Sequence, residues 1–137
     1  MASMAEMVTS VRLLIGDDGS PSLYSDSTIR EYIILHGIER VNLELGTVYE
    51  SDDGATISPE PTGANRYLME LAAAHAILLR QYMNAPGKAV SVKEGSSAID
   101  LRGASSEGGR AARDVNALFN ELKKRVLSNN IDGDIII

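Results

Sequence analysis

The 137-residue chain has no cysteine and no tryptophan, one phenylalanine (Phe119) and two histidines, His36 and His75. Without thiols there is no disulfide framework and no Cys-based zinc site. Aromatics are few: beyond Phe119 there are only the tyrosines at 24, 32, 49, 67 and 82. Small aliphatic side chains must therefore do most of the packing. That favours helices at close approach and leaves part of the stability to come from neighbouring subunits. The histidines fall on different expected helices, and neither has a carboxylate or cysteine at a ligand spacing, so packing or surface roles are expected of both. Long apolar runs are missing as well. Leu71 to Leu79, the longest, is nine residues and contains His75, too short to span a bilayer. The start, Met1 to Glu6, has no basic signal-peptide region. The expectation is a soluble intracellular product without membrane contact.

Positive charge is scarce too. Thirteen Lys and Arg stand against 19 Asp and Glu, giving a net charge of −6. A protein that grips nucleic acid neutralises phosphates with basic side chains, and this chain is short of them. Such a chain lets DNA pass without holding it, and the same balance also serves solubility.

Signatures of catalysis are lacking. No serine sits in a nucleophile elbow. The glycine-rich stretch Gly103 to Gly109 has no Lys-Ser/Thr ending of a phosphate loop. Asp17-Asp18, Asp52-Asp53 and Asp132-Gly-Asp134 look like fragments of calcium loops. They lack the alternating oxygens and closing Glu, and turn and cap roles explain them better. No enzyme, metal or cofactor is expected.

What is present is helical periodicity over a length that suits one domain. Helix 1 is expected from about Ala5 to Ile15, with Ser3 and Glu6 at capping-box spacing. Met7, Val8, Val11, Leu14 and Ile15 share one face. Gly16 to Gly19 ends it. Helix 2 starts near Asp26 with Ser25 as N-cap, and Tyr24 and Ile29 are placed for a hydrophobic staple. Its buried face begins with Ile29, Tyr32 and Ile33. After Gly37 the phase shifts to Ile38, Val41 and Leu45, so a kink or break is expected there. Residues 46 to 62 read equally as a hairpin, Thr47–Glu50 against Ala55–Ser58, or as a flexible insertion.

Helix 3, about Ala64 to Met83, is apolar on most sides and so buried on several. Leu68, Leu71, Ala72, Leu79 and Tyr82 are its main inward face. Next comes a β-hairpin over 89 to 102, pairing Val92 with Ile99 and Val90 with Leu101, all on one face. A two-stranded hairpin is marginal alone, so Val90, Val92, Ile99 and Leu101 need cover from the body or from another subunit. A flexible linker, Gly103 to Gly109, leads to helix 4, about Glu107 to Leu127. Its inward residues are Ala112, Val115, Leu118, Phe119, Leu122 and Val126.

The tail, 128 to 137, ends in three isoleucines after polar residues. Two readings stay open: Ile135 to Ile137 fold back on the core, or the tail adds a strand to a partner sheet. The expected class is thus mainly α. It is a four-helix bundle-like domain over 1–127 with a projecting hairpin between helices 3 and 4 and an extended C-terminal tail.

In this order the elements resemble the head-tail adaptor proteins of tailed bacteriophages, also called head-tail connector or head completion proteins. In that family a helix ending in Leu-Ile-Gly-Asp, here Leu14-Ile-Gly-Asp17, precedes a Leu-Ser-Asp segment, here Tyr24-Ser-Asp26. A long Ala-rich helix follows, here 64 to 83. Then come a Val-Ser-containing hairpin ending in Asp-Leu, here Val90-Ser-Val92 and Asp100-Leu101, and a last amphipathic helix. The likeness covers about residues 5 to 127, and its weight lies in the order of the motifs. The insertion at 46 to 62 and the Ile-rich tail depart from the shortest members.

The resemblance implies a structural virion protein, made in the host cytoplasm and located at the neck. It implies a ring beneath the portal protein, typically a dodecamer, which docks the next neck or tail protein and extends the DNA channel. Genome DNA would pass through without specific binding. The expected portal anchor is Ile131, Ile135, Ile136 and Ile137, and the expected subunit contact is the hairpin face. Alternatives are a helical DNA-binding packaging or regulatory protein and a more distal neck or tail-completion protein.

Overall fold

The computed structural model describes residues 2–17, 19, 22–83 and 106–136, with side chains described over 109–128 in the last helix. It is mainly helical. Strand β1 (Ala2–Ser3) leads directly into α1 (Met4–Ile15). A continuous helical stretch follows as α2 (Asp26–Tyr32), a π-helical segment (Ile33–Ile38) and α3 (Glu39–Leu45). After β2 (Thr56–Ile57) come α4 (Gly63–Met83) and α5 (Ser106–Ile136).

Helix α4 is the centre of the body. It packs against α5, the π segment and α1, and touches α2 and α3. The apolar pattern explains this, since Leu68, Met69, Leu71, Ala73, Ala74 and Ile77 are all fully buried. Met7 and Val11 of α1, Ile29 and Ile33 of the second stretch and Phe119 of α5 close the same core. Two residues expected inside are not. Leu79 and Leu118 are 42% and 50% exposed, because neighbours cover less of each helix's circumference than the width of its apolar stripe.

The turn between α1 and α2 is built around a carboxylate. Gly16 takes the left-handed conformation that ends α1, φ 74°, which glycine adopts at no steric cost. Asp17 is then buried, and its two oxygens accept the backbone N–H of Leu23 (2.6 Å) and Tyr24 (3.1 Å). Arg12 adds an ion pair to Asp17 at 2.8 Å and reaches across to Asp26 at 2.6 Å. Ser25 caps α2 as expected, accepting the Thr28 N–H. Tyr24 packs at the edge of the core, and its hydroxyl accepts from Gln81 of α4 at 2.8 Å.

Ser3 stands at the N-cap of α1 but makes no side-chain cap bond, so the expected capping box does not form. Its backbone is used in β1, which pairs antiparallel with β2. Glu6 turns instead to Arg66 of α4, 3.4 Å away. Arg66 also holds Glu70, at 3.1 Å. Burial raises the Glu70 pKa above its ordinary value, more than the Arg66 and Ser10 hydrogen bonds lower it.

Neither reading of 46–62 is the whole account. Glu50 and Ser58 form one antiparallel bridge, but β2 takes β1 as its strand partner. The loop is tied down locally. Asn42 accepts from Thr47 and from the Tyr49 N–H, and donates to the Tyr49 carbonyl. The Asp53 carboxylate accepts the N–H groups of Ala55 and Thr56, which hold its pKa below the ordinary value.

At Gly37 the helix does not break; it continues through a π turn. In an unbroken α-helix, Ile29 and Ile38 would point about 180° apart at about 100° per residue. The π turn takes up one extra residue, so that Ile33 and Ile38 are both buried. Gly37 itself meets α4, and a Cβ placed there would lie 2.5 Å from the Met69 carbonyl oxygen.

Residues 106 to 109 belong to α5, not to a linker. Gly109 is buried where a Cβ would lie 3.0 Å from the Tyr82 ring. The other end also corrects the expectation of an extended tail, because α5 runs on to Ile136. There is no proline between 106 and 136, and a helix already nucleated adds residues at little cost. Asn129, Asn130 and Gly133 cost it only about 0.5–1 kcal/mol each.

Candidate docking cleft

Three helices meet at Arg40. The residue follows the π turn, so its side chain points across the seam to both α4 and α5. Its Nε donates to Glu44 at 2.7 Å, one helical turn on. Its Nη2 donates to Asn116 Oδ1 at 2.8 Å, and its Nη1 stands 3.5 Å from His75 Nδ1. The guanidinium lies 3.7 Å over the centre of the Phe119 ring. Lys123 completes the seam with a 2.6 Å bond to the other Glu44 oxygen.

The electrostatics follow from this geometry. Burial pushes the Glu44 carboxyl up, but its bonds to Lys123 and Arg40 outweigh that and hold its pKa below the ordinary value. Burial, and then the charge of Arg40, lower the His75 pKa. Both effects favour the neutral imidazole.

Beside this seam lies a cleft of about 640 Å³ between the second helical stretch and α4. Tyr32, His36, His75, Leu79, Arg80 and Met83 are among its walls, with Arg40 at the floor. His36 stacks on Tyr32, with ring centres 5.3 Å apart. Smaller hollows continue the cleft along the same seam, past Leu35 and Leu43 at one end and past Tyr24 and Glu31 at the other. The surface is largely apolar, with Arg80 as its exposed cation. Leu35, Leu43, Leu79 and Met83 are exposed along it. Arg80 makes no ion pair among the described residues.

The sequence placed His36 and His75 apart and without a shared site. The structure brings both to this cleft. The only signal was the phase shift after Gly37, which turns Arg40 towards α4. The expected hairpin residues Val90, Val92, Ile99 and Leu101 lie outside the described residues, as does Ile137. Ile131, Ile135 and Ile136 stand on the last turns of α5. No helix among the described residues is long and apolar enough to cross a membrane. Comparison with family models, with curated proteins and with solved structures returned no match.

Proposed function

We propose that this chain is a passive head-tail adaptor of a tailed phage. Its helices would act as a bundle-like body, copies would form a ring beneath the portal, and the ring would offer its far side to the next neck or tail component. One observation carries the reading. The residues behind the resemblance, Leu14-Ile-Gly-Asp17 and Tyr24-Ser-Asp26, meet in one built corner, where Asp17 and Arg12 tie the first two helices together. A pattern whose polar members hold a specific turn supports kinship of the domain. The exposed apolar cleft supports a role in assembly, since large apolar patches on a surface mark interaction sites.

The portal anchor in this reading is the end of α5. With the helix continued to Ile136, docking by a helical end replaces strand addition. Ile131 and Ile135 are one turn apart, the spacing of helix-in-groove anchors. A DNA-gripping role is less well supported. Arg40, one of two arginines on the second helical stretch, is committed to Glu44, Asn116 and Phe119.

The test is co-sedimentation with portal rings from the same genome, using the full chain and a 1–127 truncation. Binding by the full chain alone supports an adaptor anchored by its tail. Binding by both keeps the adaptor and moves the anchor to the body. Binding by neither, with a tight salt-sensitive gel shift, replaces the adaptor with the DNA-binding reading.

A further inference from the structure

We propose that copies of this chain contact one another head to tail, the apolar cleft beside Arg80 of one copy receiving the acidic loop 48–53 of the next. The proposal rests on the ring reading above and names the two surfaces that would close it.

The cleft is the first half. In a chain of net charge −6, its titratable walls are His36, Arg40, His75, Arg80 and the phenol of Tyr32, and among the described residues no carboxylate lines it. Glu31 lines the two hollows that adjoin Arg80, and Glu39 and Glu44 line the hollow beyond Arg40. Arg40 is already satisfied, so Arg80 supplies the exposed charge. Leu79 and Met83, 42% and 52% exposed, supply apolar wall. The complementary ligand is a short segment with an aliphatic side chain and carboxylates beside it.

The loop is the second half, and it has that chemistry. Val48 is 80% exposed, and Glu50, Asp52 and Asp53 are exposed beside it. The loop is held in shape by Asn42, by the Glu50–Ser58 bridge and by Asp53 on Ala55 and Thr56. A pre-shaped loop loses less freedom on docking. None of its residues lines the cleft of its own copy. The loop lies by the start of α1, where the Ala55 carbonyl accepts the Met4 N–H. The cleft runs to Met83 at the end of α4. Two different surfaces, each complementary to the other, make a heterologous contact, the type that generates rings.

The absence of cysteine makes the test clean. The full chain is prepared as Met83→Cys, as Val48→Cys and as the double variant, which keep Arg80 and the loop carboxylates in place. All are oxidised at low salt, free and on portal rings. A pair placed on Leu13 and Val48 serves as control. Both test positions are exposed, and far-UV circular dichroism checks each fold. The expected result is a ladder of covalent multimers from the double variant, at least about tenfold above the control pair, and no species beyond dimers from either single variant. Salt should slow the ladder, because exposed charges are screened. A double variant that yields no more multimer than the control, free and on portal rings, overturns the proposal. Portal co-sedimentation is scored separately. A ladder without portal binding leaves the contact standing and removes the adaptor; portal binding without a ladder does the reverse.

Discussion

Two arginines organise two regions of this molecule in opposite ways. Arg12 bridges two carboxylates, Asp17 and Asp26, at the α1–α2 corner. The corner is closed, with Asp17 buried and both its oxygens engaged by backbone N–H groups. Arg40 holds one carboxylate, an amide and an aromatic ring, and stands against the His75 imidazole beside an open cleft. The first arrangement spends its charge inside the fold. The second fixes one guanidinium and leaves a largely apolar wall facing out. Arg12 has two partners and Arg40 four; what matters more is whether the cation is matched by anions or mainly by neutral groups.

Asp17→Ala is the most severe way to break the contrast. It strips two N–H groups of their acceptor and leaves Arg12 with Asp26 alone, and a loss of about 3–5 kcal/mol is expected. Urea denaturation measures it, and Asp17→Asn should lose less. Gly37→Ala comes next. Its Cβ would meet the Met69 carbonyl at 2.5 Å, so the second helical stretch must move off α4, at a cost of about 1–3 kcal/mol. A thermal melt that matches the wild type would contradict the close approach.

Phe119→Leu keeps an apolar side chain but removes the face under Arg40. About 1–2 kcal/mol is expected, and Arg40→Met in the same background should then cost less than it does alone. The smallest effect is on pH dependence. The folded His75 pKa is lowered from 6.5, so below about pH 6.5 the unfolded chain takes up a proton that the folded chain refuses. The stability from His75 is therefore present above pH 6.5 and is lost as pH falls towards the lowered value. His75→Gln should flatten that part of a plot of Tm against pH; an unchanged slope would show that His75 does not titrate in this way.

The same contrast explains what the sequence made legible. The Arg12 corner is local, with partners 5 and 14 residues away, and its glycine, aspartate and N-cap serine are turn signals. The helix limits there follow from pattern. The partners of Arg40 include His75 and Asn116, 35 and 76 residues distant, and no spacing rule reaches that far. Periodicity found the apolar faces of α4 and α5 but not their covered widths, hence the error at Leu79 and Leu118. The end of α5 overruns its expected limit for a different reason. Asn129, Asn130 and Gly133 weaken a helix without stopping it, whereas a proline would stop it.

The π turn at Ile33–Ile38 works as a vernier. A regular helix of this length would sweep its apolar edge away from α4, and one residue of surplus length returns it. The two halves of the helix are thereby set independently: Asp26–Tyr32 is locked to the corner, and Glu39–Leu45 is free to aim Arg40 across the seam. Removing one residue here would restore a regular α-helix and turn Glu39–Leu45, with Arg40, by about 100° about the helix axis.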